Sequence, residues 1–229
     1  MSDIGLSKSV ADTLLAILIA IPIVVFVCAF LIGSIPFGYV IGRLFYGTDI
    51  RREGSGNIGA MNALRTLGKA GAIAVLLLDA LKGYAPTLFA LWFFKDHLDI
   101  EGFPPSEQIL AAIVATGTVL GHCFSPWLRF RGGKGVATSF GAIFAMSWPA
   151  GLFALAGWLV GAGLTRYSSV GSMLGSAIAP IAIWAFTRSI PETAYGVFAL
   201  LLILYKHREN IGRLRSGTEG PIRLSKRGA

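Results

Sequence analysis

An all-α integral membrane protein of about seven transmembrane helices, N-terminus outside and C-terminus cytoplasmic, is the fold that this sequence predicts. Three observations carry that expectation. First, 54% of the 229 residues are hydrophobic and only 14% are charged, and the mean hydropathy is +0.68, values for a chain whose outer surface meets lipid. Second, the apolar residues come in long runs separated by short polar segments. Third, the cations are unevenly shared among those segments, which the positive-inside rule converts into an orientation.

Taken in order, the spans run roughly 13–45, 70–94, 108–124, 136–147, 149–164, 170–186 and 193–205, all in one polytopic domain covering residues 1–229. The first run contains Pro22 and Pro36 and is long enough to tilt or kink. The second is interrupted by Asp79 and Lys82, three residues apart and able to neutralise each other across one helical turn. Val136 to Leu164 carries no formal charge, but Pro149 falls near its middle. A break at Ser147-Trp148-Pro149 makes two helices of it. The first is well short of the roughly 20 residues a full crossing needs.

Charge decides between one crossing and two there. With two, every Lys and Arg except Lys8, Lys95, Arg188 and the intramembrane Lys82 faces the cytoplasm, including the tail cations Lys206, Arg208, Arg213, Arg215, Arg223, Lys226 and Arg227. The acidic Asp3, Asp12, Asp96, Asp99, Glu101, Glu107 and Glu192 fall outside. The net charge of +8 therefore records membrane orientation and makes no case for a nucleic-acid partner. Glycine pairs four apart, Gly38/Gly42, Gly117/Gly121, Gly157/Gly161 and Gly171/Gly175, read as close helix packing.

Polar residues of special geometry collect in the cytoplasmic loops. Phe130-Arg131-Gly132-Gly133-Lys134-Gly135 places two cations among three glycines just before an apolar helix. Backbone N–H groups, a helix N-terminus and full positive charge together describe a seat for a phosphate. A nucleotide-hydrolysing loop would carry Ser or Thr after the lysine to hold magnesium; Gly135 stands there instead. In Arg51 to Arg65, Gly54-x-Gly56-x-x-Gly59 imitates a dinucleotide fingerprint, but no strand precedes it. The remaining loops are Thr165 to Ser169 and Tyr205 to Glu219, where His207 and Asn210 share a helical face. No CxxC, HExxH or carboxylate cluster suits a metal, so neither metal nor cofactor is expected. The His-x-x-x-x-Asp acyltransferase dyad is excluded, because His97, His122 and His207 are followed five residues on by Gly102, Trp127 and Gly212.

Three stretches together resemble the bacterial membrane glycerol-3-phosphate acyltransferases of the PlsY family: Gly54-Ser55-Gly56-Asn57-Ile58-Gly59-Ala60-Met61-Asn62-Ala63-Leu64-Arg65; Phe130 to Gly135; and His207-Arg208-Glu209-Asn210-Ile211-Gly212-Arg213-Leu214 with Gly217-Thr218-Glu219. The likeness extends to Ser34-Ile35-Pro36-Phe37-Gly38 and Asp79-x-x-Lys82-Gly83. It implies transfer of a fatty acyl group from acyl-phosphate to the 1-hydroxyl of glycerol 3-phosphate, giving lysophosphatidic acid in the inner membrane. A soluble acyl-phosphate-making partner is implied as well. On the resemblance, Ser55 and Arg65 serve turnover, with His207 and Asn210 joining them in the catalytic set. Asn57, Arg131, Gly132, Gly133, Lys134, Gly135 and Ser169 bind phosphate or substrate, and Glu219, with Asp79 and Lys82, supports the structure. An organophosphate or small-anion transporter is the competing class. It would place its polar residues at the membrane midplane on broken helices, whereas here they gather in the loops of one face.

Overall fold

The computed structural model describes residues 8–97 and 106–222. Asp3, Asp99, Glu101, Arg223, Lys226 and Arg227, which entered the charge argument, lie outside the described residues. The helices are α1 (Lys8–Gly33), α2 (Phe37–Tyr46), α3 (Ala60–Thr66), α4 (Gly68–Phe94), α5 (Ser106–Cys123), α6 (Val136–Met146), α7 (Trp148–Thr165), α8 (Ser168–Thr187), α9 (Ile190–Lys206) and α10 (Arg208–Arg215). Short 3₁₀ turns cover Ile50–Arg52 and Pro126–Leu128. Among the described residues, five segments are long and apolar enough to cross a membrane: Leu15–Tyr46, Gly68–Phe94, Ser106–Leu128, Trp148–Thr165 and Ser168–Thr187. Large apolar side chains point outward, with Leu164 83%, Ile181 72% and Trp92 70% exposed, the pattern of a surface solvated by hydrocarbon.

The first apolar run is not one helix. α1 stops at Gly33, and α2 begins only after Pro36, whose backbone (φ −91°, ψ 74°) is not helical. Proline lacks an N–H to donate and biases its predecessor, here Ile35, away from the helical region. α2 then buries Gly38, Ile41 and Gly42 and exposes Leu44 and Phe45. The second long run does divide at Ser147-Trp148-Pro149. Ser147 is the N-cap of α7, its hydroxyl accepting from the Ala150 N–H at 3.4 Å, and Pro149 sits in the first turn where a missing N–H costs least.

Hydrophobic force cannot drive helices together inside lipid, so close packing of small residues must. α7 and α8 meet where Gly157 and Gly161 lie against Gly175 and Gly171. α4 and α6 meet where Gly83 packs on the Thr138 carbonyl and Gly141 on the Ala80 carbonyl, and α5 sets Gly117 and Gly121 against carbonyls of α1. A side chain at any of these positions would hold the backbones apart. Within this bundle lies the one intramembrane ion pair foreseen from sequence: Lys82 Nζ is 2.7 Å from Asp79 Oδ1, both side chains 2% exposed. The ammonium also donates to the Ile35 carbonyl at 2.8 Å, bracing the break between α1 and α2.

Candidate active site

Four loops meet at one end of the bundle. The first, between α2 and α3, is tied around the buried side chain of Asn62. Its Nδ2 donates to the carbonyls of Ile50 (2.7 Å), Asn57 (2.8 Å) and Glu53 (3.2 Å), and its Oδ1 accepts from the Ser55 N–H at 2.8 Å. Gly54 and Gly56 turn the chain through positive φ of 57° and 70°, conformations costly for a residue with a Cβ. Asn57 Oδ1 accepts from the Gly59 N–H at 2.9 Å, so this side chain serves the turn. Ser55 and Arg65 are left exposed on the loop's surface.

The second loop folds back on the end of α5. The Gly132 N–H donates to the Cys123 carbonyl at 3.2 Å and the Gly133 N–H to the His122 carbonyl at 2.9 Å. These two glycines therefore allow close approach to α5, and their N–H groups are committed internally. The N–H groups left without intrahelical acceptors are those of the first turn of the following helix, α6. Gly135 caps that helix at φ 84°.

From there a chain of polar contacts joins the loops. Lys134 Nζ donates to Asn210 Oδ1 at 2.5 Å, and Asn210 Nδ2 donates to Glu219 Oε1 at 2.6 Å. The same Glu219 oxygen accepts from Ser169 Oγ at 2.8 Å, while Oε2 accepts from Arg213 Nε at 2.7 Å. Both ends of the Asn210 amide are thus used, which fixes its orientation. The tail continues inward: the Gly220 carbonyl accepts from Arg65 at 3.4 Å, and the Ile222 N–H donates to the Arg166 carbonyl at 2.8 Å.

The electrostatics follow from this crowding. Burial, then the charges of Arg213 and Arg65, lower the Lys134 pKa to about 8. Burial raises the Glu219 pKa, but hydrogen bonds from Asn210, Arg213 and Ser169 outweigh that and hold it below the usual range. Burial and the neighbouring Lys134 charge press the His207 pKa down to about 4. His207 is therefore neutral near pH 7. Its Nδ1 lies 2.8 Å from the Ile203 carbonyl, so the proton sits on Nδ1 and the Nε2 lone pair is free to accept. With Arg65, Lys134 and Arg213 against Glu219 and Glu209, the site carries an excess of positive charge suited to anionic groups.

Of the residues singled out from sequence, Arg65, Lys134, Ser169, His207, Asn210 and Glu219 are brought together. Gly132, Gly133 and Gly135 shape the loop, and Asn57 shapes its own turn. Arg131 is exposed and makes no side-chain hydrogen bond or ion pair among the described residues. Asn62 and His122 were not singled out. Asn62 could have been noticed as a second amide within the first family-like stretch, and His122 as a polar residue ending a span just before the glycine loop.

A helical membrane protein whose cationic loops converge at one end of the bundle around Lys134, Asn210 and Glu219 fits the class of enzymes that handle phosphorylated substrates at the membrane surface. The comparisons name the family. Residues 23–217 match the family model described as glycerol-3-phosphate acyltransferase. The chain is 44% identical over 205 residues to the glycerol-3-phosphate acyltransferase of Rhodopseudomonas palustris (strain BisB5), covering 90% of this chain and 98% of that one. It is 45% identical over 202 residues to that of Nitrobacter winogradskyi, covering 87% and 95%. Among solved structures, the integral membrane glycerol 3-phosphate acyltransferase PlsY (YgiH) in its glycerol 3-phosphate form matches with a TM-score of 0.79 and 36% identity, over 87% of this chain and 94% of that one. Its lysophosphatidic acid form matches at 0.77 and 33%, over 89% and 96%. The chain belongs to the glycerol-3-phosphate acyltransferase family.

Proposed function

We propose that this protein transfers a fatty acyl group from acyl-phosphate to the 1-hydroxyl of glycerol 3-phosphate, giving lysophosphatidic acid and phosphate at the inner membrane. The observation that carries the reading is the Lys134–Asn210–Glu219 network, which draws the second and third family-like stretches to one cationic site, with Arg65 of the first reaching the neighbouring Gly220 carbonyl. An acyl-phosphate is already activated, so the protein has mainly to hold two anions close and stabilise charge on the departing phosphate. Lys134 and the α6 N-terminus do the second, and Arg65 and Ser55, exposed on the facing loop, engage substrate. Glu219 holds Asn210 and Ser169 in register.

The alcohol must lose a proton as the ester forms. With a pKa of about 4, His207 is a weak base; a phosphate oxygen, with a second pKa near 6, is a stronger one. In this reading His207 Nε2 accepts a hydrogen bond from the substrate and orients it, while a substrate phosphate oxygen takes the proton. His207→Gln is expected to lower kcat by roughly 10²-fold while leaving the acidic limb of the pH–rate profile where it was. A wild-type limb near pH 4 that vanishes in the variant would instead make His207 the base.

Seven crossings with the site on the cytoplasmic side complete the reading. Its support is that the α3–α4, α5–α6, α7–α8 and α9–α10 junctions share the site end, so α6 must carry the chain away from it and α7 must bring it back. At 1.5 Å per residue, the 11 residues of α6 reach roughly 16 Å, about half the hydrocarbon thickness. The direct test uses the reconstituted protein in vesicles of known orientation with impermeant glycerol 3-phosphate and an acyl-phosphate. Lysophosphatidic acid should form in stoichiometric balance with phosphate, and only where the loop face meets the added substrate. Flux of glycerol 3-phosphate without acylation would replace this reading with transport, and equal turnover at the opposite face would reverse the orientation.

A further inference from the structure

Three buried polar side chains, Asp79, Lys82 and His122, take no direct part in the mechanism above, yet His122 stands directly against the glycine loop and Asp79 lies behind it. His122 is 4% exposed at the end of α5. Two separate parts of it meet Gly133. Its carbonyl accepts the Gly133 N–H at 2.9 Å, and its imidazole fills the space that a Gly133 side chain would need, since a Cβ built there would overlap the ring at Nε2. The other edge of the ring is turned toward α4. Its Nδ1 lies 3.5 Å from Asp79 Oδ1, close but without a formed hydrogen bond, and has no hydrogen-bond partner among the described residues. Asp79 is held in turn by Lys82 at 2.7 Å, and Lys82 by the Ile35 carbonyl at 2.8 Å.

We propose that His122 is a positioning residue for the phosphate seat. Its ring is the floor on which Gly132-Gly133-Lys134 lies, and the Asp79–Lys82 pair fixes the height and tilt of that floor. The reason for the arrangement is mechanical. Glycines impose no conformation of their own, so a Gly-Gly-Lys segment needs a rigid support for Lys134 to reach Asn210 and for the start of α6 to face an anion. A ring wedged under Gly133, set beside a charge pair inside the bundle, supplies that support from a second helix. The proposal rests on the reading that this loop holds a substrate phosphate.

The test is a double-mutant cycle on the full-length protein, read as kcat and as the KM of each substrate separately. His122→Ala is expected to lower kcat/KM for the substrate whose phosphate occupies the loop by about tenfold or more, through a raised KM and a lower kcat as Lys134 is displaced, with the other KM unchanged. Gly133→Ala should raise the same KM, because its methyl group meets the ring. In the double variant the methyl group occupies the vacated space, so the two effects should fall well short of multiplying. Multiplying effects, an unchanged KM, or a parallel fall in kcat and both affinities together with the melting temperature would overturn the proposal. Should His122→Ala not fold, His122→Gln, which keeps a polar group toward Asp79, is read in the same way. Lys134→Met separates the two ideas. If it leaves both KM values alone, the phosphate-seat reading fails; if it raises one that His122 variants do not touch, the positioning role alone fails.

Discussion

Lys134→Met should lower kcat/KM by roughly 10³-fold, the loss expected when one preorganised donor to a developing oxyanion is removed from a partly desolvated site. The substitution keeps the length and apolar stem of lysine and deletes only the charge. That charge is costly where it stands, which is why the pKa has fallen to about 8; the variant should therefore melt no lower than the wild type. A pH signature accompanies the loss. An anion binds the protonated lysine, so affinity is full below about pH 8 and declines as the pH rises through that value, where the free protein gives up the proton. Wild-type KM for the loop's substrate should climb above pH 8, and the variant's should not. Turnover within threefold of wild type, or an alkaline rise that persists in the variant, would remove Lys134 from the reacting centre.

Asp79→Ala is expected to have the largest effect on stability. It strands the Lys82 ammonium inside the bundle with only the Ile35 carbonyl and, 5.4 Å away, the Phe37 ring. Removing one partner of a buried pair typically costs about 3–5 kcal/mol. For a chain of this length that corresponds to a melting temperature lower by about 6–20 °C, measurable in detergent by intrinsic fluorescence. Converting both members, Asp79→Leu with Lys82→Leu, should recover most of the loss, since no lone charge then remains. A single variant that melts within 2 °C of wild type would show that water or lipid headgroups reach the pair.

What could be read from the sequence and what could not divide along physical lines. Hydropathy depends on each residue's own transfer free energy, so α4, α5, α7 and α8 were legible as apolar segments long enough to span. The break at Ser147-Trp148-Pro149 was legible because a serine cap and a first-turn proline act locally. The break at Ser34-Ile35-Pro36 was left as a kink in one long span, since a proline inside an apolar run is compatible with either outcome. The glycine loop was recognisable, but the use of its N–H groups was not. Whether Gly132 and Gly133 donate outward or to α5 depends on where α5 ends in space. Likewise, Lys134 and Asn210 are 76 residues apart, and nothing in the spacing of either predicts their contact. Arg131 and Lys134 looked equivalent in the sequence; packing pulls one into the network and leaves the other exposed.

The short segment Glu219 to Ile222 touches the first loop through Gly220, the second through Asn210, and the third through Ser169 and Arg166. These residues leave the ribosome after every helix of the bundle. An inserting chain thus holds its apolar helices, its glycine loop and Arg65 well before the Glu219 carboxylate arrives. The polar network that joins the loops is therefore completed only by residues 219–222, after the helices it links. A protein arrested at Arg215 would be a correctly inserted bundle with a disconnected site, and the missing segment supplied as a free peptide is the natural reagent for switching it on.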